Sequence, residues 1–477
     1  MKGSVRALTA ILLLILVAVL AILGTGAFHA TDTVAGFFNM QKTTIRLWYS
    51  DEALSDYLNI RAVAYNETHD DVRIEPVHVS GVEILENIYS TSLYEDVFPD
   101  LYIVTNDMLE KAHLAGLTSD VALSGSPFSP NDFPESARNA VTYQGRYVAY
   151  PFYYETSVLM YNKTYLEQVV RQELGVSEDA DVSTMTTDEG VPMADEIEAR
   201  ISEKIPRTIA DLLKFASSYN APATVEAVFK WDVTDVFYNY FFVGAYMNAG
   251  GPAGDDIASL NLYNSEMVSC MKAYQKLNTY FAIDAGSVNY ESIIEDFIAG
   301  KMLFTVVTSD AVTRITKAQE SGECPYEYGA ADIPALNDFY DTRTMSVTDC
   351  VVINGYSEHV PEAADFAEFL VSGTDESIFR QTGKLPARTI PHYEDERLAV
   401  FFDVYTASVP MPKMIETSNL WMRLEIAFTQ IWNGADSNQT LKEMSESMMK
   451  QVVGRHYEEM LLPEPDAVSI TDETAGD

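Results

Sequence analysis

Cysteine, histidine and basic side chains are all scarce in this chain, and each shortage closes off a class of function. Three cysteines in 477 residues, Cys270, Cys324 and Cys350, are too few for a disulfide scaffold and match no zinc-ligand spacing. Cys324 and Cys350 could pair in an oxidising compartment, but three buried free thiols are the expectation. No cysteine lies among the first 269 residues, which excludes a lipoprotein anchor, since that needs one directly after its apolar leader. Seven scattered histidines make a His-based centre unpromising. With 31 Lys and Arg against 71 Asp and Glu, the formal net charge is −40. Such a surface repels phosphate backbones and anionic lipid, so nucleic-acid binding is excluded and the charge serves solubility. The chain also lacks a Gly-x-Ser-x-Gly elbow, a His-Glu-x-x-His pair, a Gly-rich phosphate loop and any solenoid-period repeat.

Long apolar runs are missing too, except at the start. Lys2 and Arg6 precede an uncharged stretch from Ala7 to Phe28 whose heart, Ile11 to Leu23, is almost wholly aliphatic. About 20 such residues span a bilayer as a helix, and the basic flank stays cytoplasmic. Residues 1–28 therefore read as a signal anchor or, with Thr25-Gly26-Ala27 as cleavage site, a signal peptide. Either exports the rest of the chain, with residues 29–43 as a linker.

The length suggests two or more domains. Thr44 to Tyr49, Val72 to Val77 and Leu101 to Val104 read as strands, the last a buried parallel one, separated by helical spacing over Leu54 to Glu67 and Ile84 to Leu93. Alternation of this kind implies an α/β sheet with crossover helices. Tyr147 to Tyr161 is dense in aromatics, and Pro151 argues against a helix there. Residues 170–205 are acidic and polar and read as an exposed insertion with helix near Asp195 to Lys204. Further helices are expected over Phe237 to Tyr246, Glu291 to Ile298, Pro361 to Leu370, Leu420 to Trp432 and Leu441 to Val453, with strands at Met302 to Val307 and Cys350 to Ile353. The acidic, proline-containing stretch 462–477 is expected to be disordered.

Several segments, in order, resemble the family-1 extracellular solute-binding proteins of ABC importers, the group that includes maltose-binding protein. They are Ile45-Arg46-Leu47-Trp48; Pro99-Asp100-Leu101-Tyr102 with Ala115-Gly116-Leu117; Tyr143-Gln144-Gly145-Arg146-Tyr147 running to Pro151; Tyr161-Asn162-Lys163; Phe297-Ile298-Ala299-Gly300-Lys301-Met302; Ala363 to Leu370; and Gly383-Lys384-Leu385-Pro386-Ala387. The resemblance covers roughly residues 44–455. It implies a periplasmic-binding-protein-like α/β clamp of two lobes, each a mixed, mainly parallel sheet flanked by helices. Lobe one would be 44–152 with 330–395 and lobe two 155–327 with 400–455, with crossings near Pro151 to Tyr154 and Gly329 to Asp332. The ligand, a mono- or oligosaccharide, would sit in the cleft between them, where strand ends converge. The resemblance implies a monomer working with ABC permease subunits, with no cofactor, no metal and no catalysis.

Candidate ligand residues follow. Glu155 matches a carboxylate position that faces ligand in the family, and a carboxylate accepts two hydroxyl bonds. Asp51, Asn106 and Asp107 sit in loops after the first and third strands, where binding groups cluster, although Asp107 could equally cap a helix. Trp421 matches a sugar-stacking position, and Tyr238 and Tyr240 lie near another. Ser309 and Asp310 replace an aromatic residue common in the family, and Val104 stands where a relative has tryptophan, so this cleft need not bind the same sugar. A sensory or adhesion module built on the same clamp is the alternative. A glycosidase would need two carboxylates facing each other at about 5–10 Å.

Overall fold

The computed structural model describes residues 42–95, 97–121 and 128–471. Thirteen strands form three sheets among these residues: β1 (Thr43–Tyr49), β2 (Val72–His78), β3 (Leu101–Thr105), β4 (Thr142–Tyr143), β5 (Arg146–Tyr147), β6 (Tyr150–Thr156), β7 (Val158–Asn162), β8 (Ala227–Phe229), β9 (Met302–Val307), β10 (Tyr328–Ala331), β11 (Met345–Ile353), β12 (Leu385–Pro386) and β13 (Val409–Pro410). The larger sheet runs β12-β6-β11-β3-β1-β2, with β13 added beside β11; the smaller runs β10-β7-β9-β8; β4 and β5 form a hairpin. Parallel pairing of β1 with β2 and β3, with the helices Ser55–Asn66 and Ile84–Tyr94 as crossovers, is the α/β unit expected from the alternating pattern.

Each sheet centres one lobe, and the chain crosses between them three times. It leaves the larger sheet at Thr156 and enters the smaller at Val158. It returns between β10 and β11. The helix Glu396–Ala407 touches β6, β7 and β10, the chain docks β13 on β11, and it then crosses a third time to reach the helix Leu420–Trp432. Strand pairing places residues 330–331 in the smaller sheet and 409–410 beside β11 in the larger one. The crossings are bonded together: the Thr156 hydroxyl donates to the Met345 carbonyl at 2.8 Å and meets the Thr344 hydroxyl at 3.0 Å.

Beside the third crossing, Lys413 is 1 % exposed. Its ammonium donates to the carbonyls of Asn139, at 2.9 Å, and Ala253, so it ties the two lobes to the crossing strap. Burial pushes its pKa down to about 8, opposed by the charges of Asp255, Asp107 and Glu110.

Within lobe two, the acidic insertion folds as expected into an exposed region ending in the helix Met193–Lys204, whose Met193, Ile197 and Ile201 are buried and which packs on the helix Lys163–Leu174. The helix expected over Phe237 to Tyr246 is shorter: an α-turn, Val236–Asn239, then a tight turn, Tyr240–Phe242. Just beyond it Gly244 lies so close to the second crossing that a Cβ would sit 2.0 Å from the Arg343 carbonyl oxygen. All three cysteines are buried and unpaired.

The disorder expected from residue 462 onward does not hold for 462–471. This stretch straps across lobe two, with Val468 donating its N–H to the Ser269 carbonyl at 3.2 Å and Ile470 fully buried. Lys272 pairs with Glu464, and Asn337, in the loop of the second crossing, donates to the Ser469 carbonyl at 2.9 Å. The expected signal or anchor segment lies outside the described residues, as do residues 472–477. Among the described residues, no helix is long and apolar enough to cross a membrane.

Candidate functional site

At the boundary of the two lobes, one ammonium gathers two carboxylates. Lys384 follows the helix Ser377–Thr382, which Gly383 closes in the left-handed conformation (φ +74°), its N–H bonded to the Phe379 carbonyl at 2.7 Å. The turn aims the Lys384 side chain over the ends of β1 and β6. There Nζ lies 2.6 Å from Glu155 Oε1 and 3.1 Å from Asp51 Oδ2, and 5.5 Å from the centre of the Tyr153 ring. Asp51 also caps the short turn after β1, accepting the Ala53 N–H at 3.0 Å. Burial lowers the Lys384 pKa, but the Glu155 and Asp51 charges outweigh it and hold the pKa above the usual lysine value.

Beneath this triad lies Asp349, on β11 between Thr105 of β3 and Tyr153 of β6. The register shifts between Asp349 and Cys350, where β6 carries the extra residue Phe152 next to Pro151, which has no N–H to give the ladder. Burial, then the neighbouring Glu155 charge, pushes the Asp349 pKa up to about 7, with Lys384 and the Tyr153 hydroxyl opposing and Asp51 adding to the rise. A cavity of about 80 Å³ opens here, lined by Asp51, Val104, Thr105, Tyr153 and Asp349 among others.

Lobe two meets this cluster through Ser309, whose hydroxyl donates to the Gly383 carbonyl at 3.2 Å. The neighbouring Asp310 accepts from Tyr290 at 2.6 Å and from Thr308 at 2.5 Å. Tyr290 in turn stacks on Tyr238, ring centres 4.7 Å apart and 9° from parallel. Burial raises the Tyr238 pKa, and the negative charges of Asp310, Asp235 and Glu155 raise it further. Carboxylates on one lobe and an aromatic pair on the other therefore adjoin across the contact. Trp421 is half-buried on the helix Leu420–Trp432 and meets Tyr240 edge-on at 5.6 Å.

Asp51 and Glu155 are thus brought together, Asp310 is joined to Tyr238 through Tyr290, and Ser309 is bonded to Gly383 beside Lys384. Two expected residues are interior instead. Asn106 is fully buried and has both ends of its amide engaged, donating to the Met411 carbonyl at 2.7 Å and accepting the Thr348 N–H at 3.0 Å. It fastens the end of β3 to β11 and to the third crossing rather than reaching a ligand. Tyr240 is 1 % exposed and backs Trp421. Asp107 accepts from Thr105 at 2.5 Å, and its nearby cation is Lys413, not Lys384, so it belongs to the crossing strap. Lys384, Asp349 and Tyr290 were not among the expected site residues. Signals existed for two: Lys384 sits inside the Gly383-to-Ala387 stretch, and Asp349 is a lone acid in an apolar strand. Larger cavities, of 770 and 650 Å³, run along the crossings and share Arg343, Tyr246 and Ala407, but contain none of the triad. With Ser309 on Gly383 the lobes are in contact, which narrows the space between them while leaving these grooves open.

Residues 51–373 match the family described as bacterial extracellular solute-binding protein. A curated relative, the maltodextrin-binding protein MdxE of Bacillus subtilis (strain 168), is 20 % identical over 421 residues, covering 85 % of this chain and 89 % of its own. The extracellular solute-binding protein from Staphylococcus aureus, solved in complex with maltose, superposes with a TM-score of 0.69 at 18 % identity, over 87 % of this chain and 100 % of that one. A cyclo/maltodextrin-binding protein complexed with maltotetraose gives 0.67 at 19 %, over 86 % and 98 %. These structural likenesses establish the two-lobed clamp fold.

Proposed function

This chain belongs to the bacterial extracellular solute-binding protein family, and from that premise we propose that it captures a carbohydrate of the maltodextrin kind between its lobes, as the substrate-binding component of an ABC importer. Relatives named for maltose and maltodextrin binding support the ligand class. The observation that carries the reading is the pair of carboxylates, Asp51 and Glu155, held on Lys384 at the lobe contact next to the stacked Tyr238 and Tyr290. Carboxylates accept hydroxyl hydrogen bonds, and flat aromatic faces pack on the apolar faces of sugar rings. In this reading Asp51, Glu155, Ser309 and Asp310 bind hydroxyls, while Tyr238 and Trp421 supply stacking surface.

The lobes rotate about the three crossings, and ligand shifts an open–closed equilibrium by its differential affinity for the two states. Permease subunits receive the closed form, and the chain acts as a monomer. The segment Ala7 to Phe28 either tethers it to the outer face of the membrane, raising its effective concentration at the permease, or is cleaved on export. Binding without turnover is the expectation, since the Lys384 ammonium stands between Asp51 and Glu155 and pairs with both, where a glycosidase would need its two carboxylates facing each other across the sugar.

The test is a thermal-shift screen of the chain lacking residues 1–40 against maltose, maltotetraose and other glycans, with amino acids, peptides, polyamines and divalent metals as controls. Binding to the native state alone adds about 2.7 kcal/mol at a hundred times the Kd. A glycan-specific rise supports the proposal; a rise only with a control class overturns the sugar. Shortened products after incubation with maltotetraose would overturn binding without turnover.

A further inference from the structure

The triad raises a question that family membership does not answer: what holds two carboxylates, with a third acid beneath them, aimed at one place in a chain with so few cations? We propose that Lys384 is the positioning residue of this site, and that the turn carrying it couples the carboxylates of lobe one to contact with lobe two. The inference rests on the site assigned above.

Three observations converge on that turn. The Lys384 ammonium reaches Glu155 at 2.6 Å and Asp51 at 3.1 Å, residues that arrive from different strands and, among the described residues, share no other cation. Its side chain is 21 % exposed, while those of Asp51 and Glu155 are 32 % and 38 % exposed, so water screens the two pairs in part. The Gly383 carbonyl, one residue before, accepts the Ser309 hydroxyl from lobe two. A left-handed glycine orients that carbonyl: the backbone at Gly383 has φ +74°, which a side chain would strain. Separation of the lobes breaks the Ser309 bond and frees the turn, so the ammonium is best placed when the lobes touch. Closing thereby fixes the acceptors that a polyhydroxyl ligand needs.

The groups facing Asp349 are Glu155 and Tyr153 from β6, Asp51 from the end of β1, Thr105 from β3 and Lys384 from the turn before β12. Lys384 is the cation among them. Removing it leaves three acids to repel one another, and the most buried of them keeps its proton to higher pH.

The experiment reads that directly and without ligand. Carbon-13 NMR of the side-chain carboxyls follows the Asp349 titration in wild type, K384M, K384R and S309A. The midpoint should rise by at least about one pH unit in K384M. K384R should bring it back towards wild type, and S309A should move it in the K384M direction by less. An unmoved Asp349 in K384M overturns the positioning role, and a wild-type midpoint in S309A overturns the coupling to lobe two. A second arm titrates maltotetraose by calorimetry at pH 5.5 and pH 8. K384M should weaken binding about 10- to 100-fold at pH 8 and less at pH 5.5, with partial rescue in K384R; a loss equal at both pH values overturns the electrostatic role. If wild type does not bind maltotetraose, the sugar reading fails while the NMR arm still decides the role of Lys384.

Discussion

Replacing Asp349 by asparagine should make the protein more stable in mildly alkaline solution and leave it nearly unchanged in acid. In the folded protein the Asp349 pKa is raised from 3.8 to about 7. Between those values the folded state holds a proton that the unfolded state has released, so stability falls as pH rises through the interval. The shift of about 3 units corresponds to about 4 kcal/mol at 1.36 kcal/mol per unit, of which about 3 kcal/mol is lost between pH 5 and pH 8. Asparagine keeps the shape and can still accept from Tyr153, but it has no charge to desolvate beside Glu155. For a chain of this size about 1 kcal/mol corresponds to about one degree of melting temperature. The Tm of D349N minus that of wild type should therefore grow by about 3 °C from pH 5 to pH 8, read by scanning calorimetry without ligand. A difference that stays constant over that range would refute the reasoning, because it would mean that Asp349 does not titrate there.

Trp421→Ala should weaken maltotetraose binding by about tenfold or more in calorimetry, through loss of stacking area, with only a small fall in Tm because the ring is half-buried; an unaltered Kd would take Trp421 out of the site. Ile470→Ala should cost about 2–4 kcal/mol, since a fully buried isoleucine leaves a cavity. A stop after Leu461 should lower Tm at least as much, and a truncated chain that melts like wild type would mean that residues 462–471 do not hold lobe two.

What could be read from the sequence is what is encoded locally. The opening βαβ unit and the helix Leu420–Trp432 follow from apolar spacing. The family resemblance carried Glu155 and Trp421, as positions matched to ligand contacts of the family. Lys384 lies inside a resembling segment, but its role was not legible because its partner Glu155 is 229 residues away; nor was that of Asp349, whose raised pKa exists only once β3, β6 and the Lys384 turn surround it. Composition misled at the C-terminus for a related reason. Acid and proline dominate 462–477, yet two apolar side chains, Val468 and Ile470, find a groove built from distant helices, and averaging over the stretch hides them.

A site at the meeting of two lobes is non-local by construction, and this has an energetic consequence. Asp51 and Glu155 share one ammonium, so removing either strengthens the other's hold on Lys384 and relieves Asp349 of a neighbouring charge. The two carboxylates cannot contribute independently, and the effects of D51N and E155Q on binding should not add: neighbours in one charge network couple by about 0.5–3 kcal/mol. The same coupling explains why either carboxylate read alone, as a loop acid or a hinge acid, looks ordinary. Their function lies in the shared cation, and that cation is contributed by a turn whose conformation depends on the other lobe.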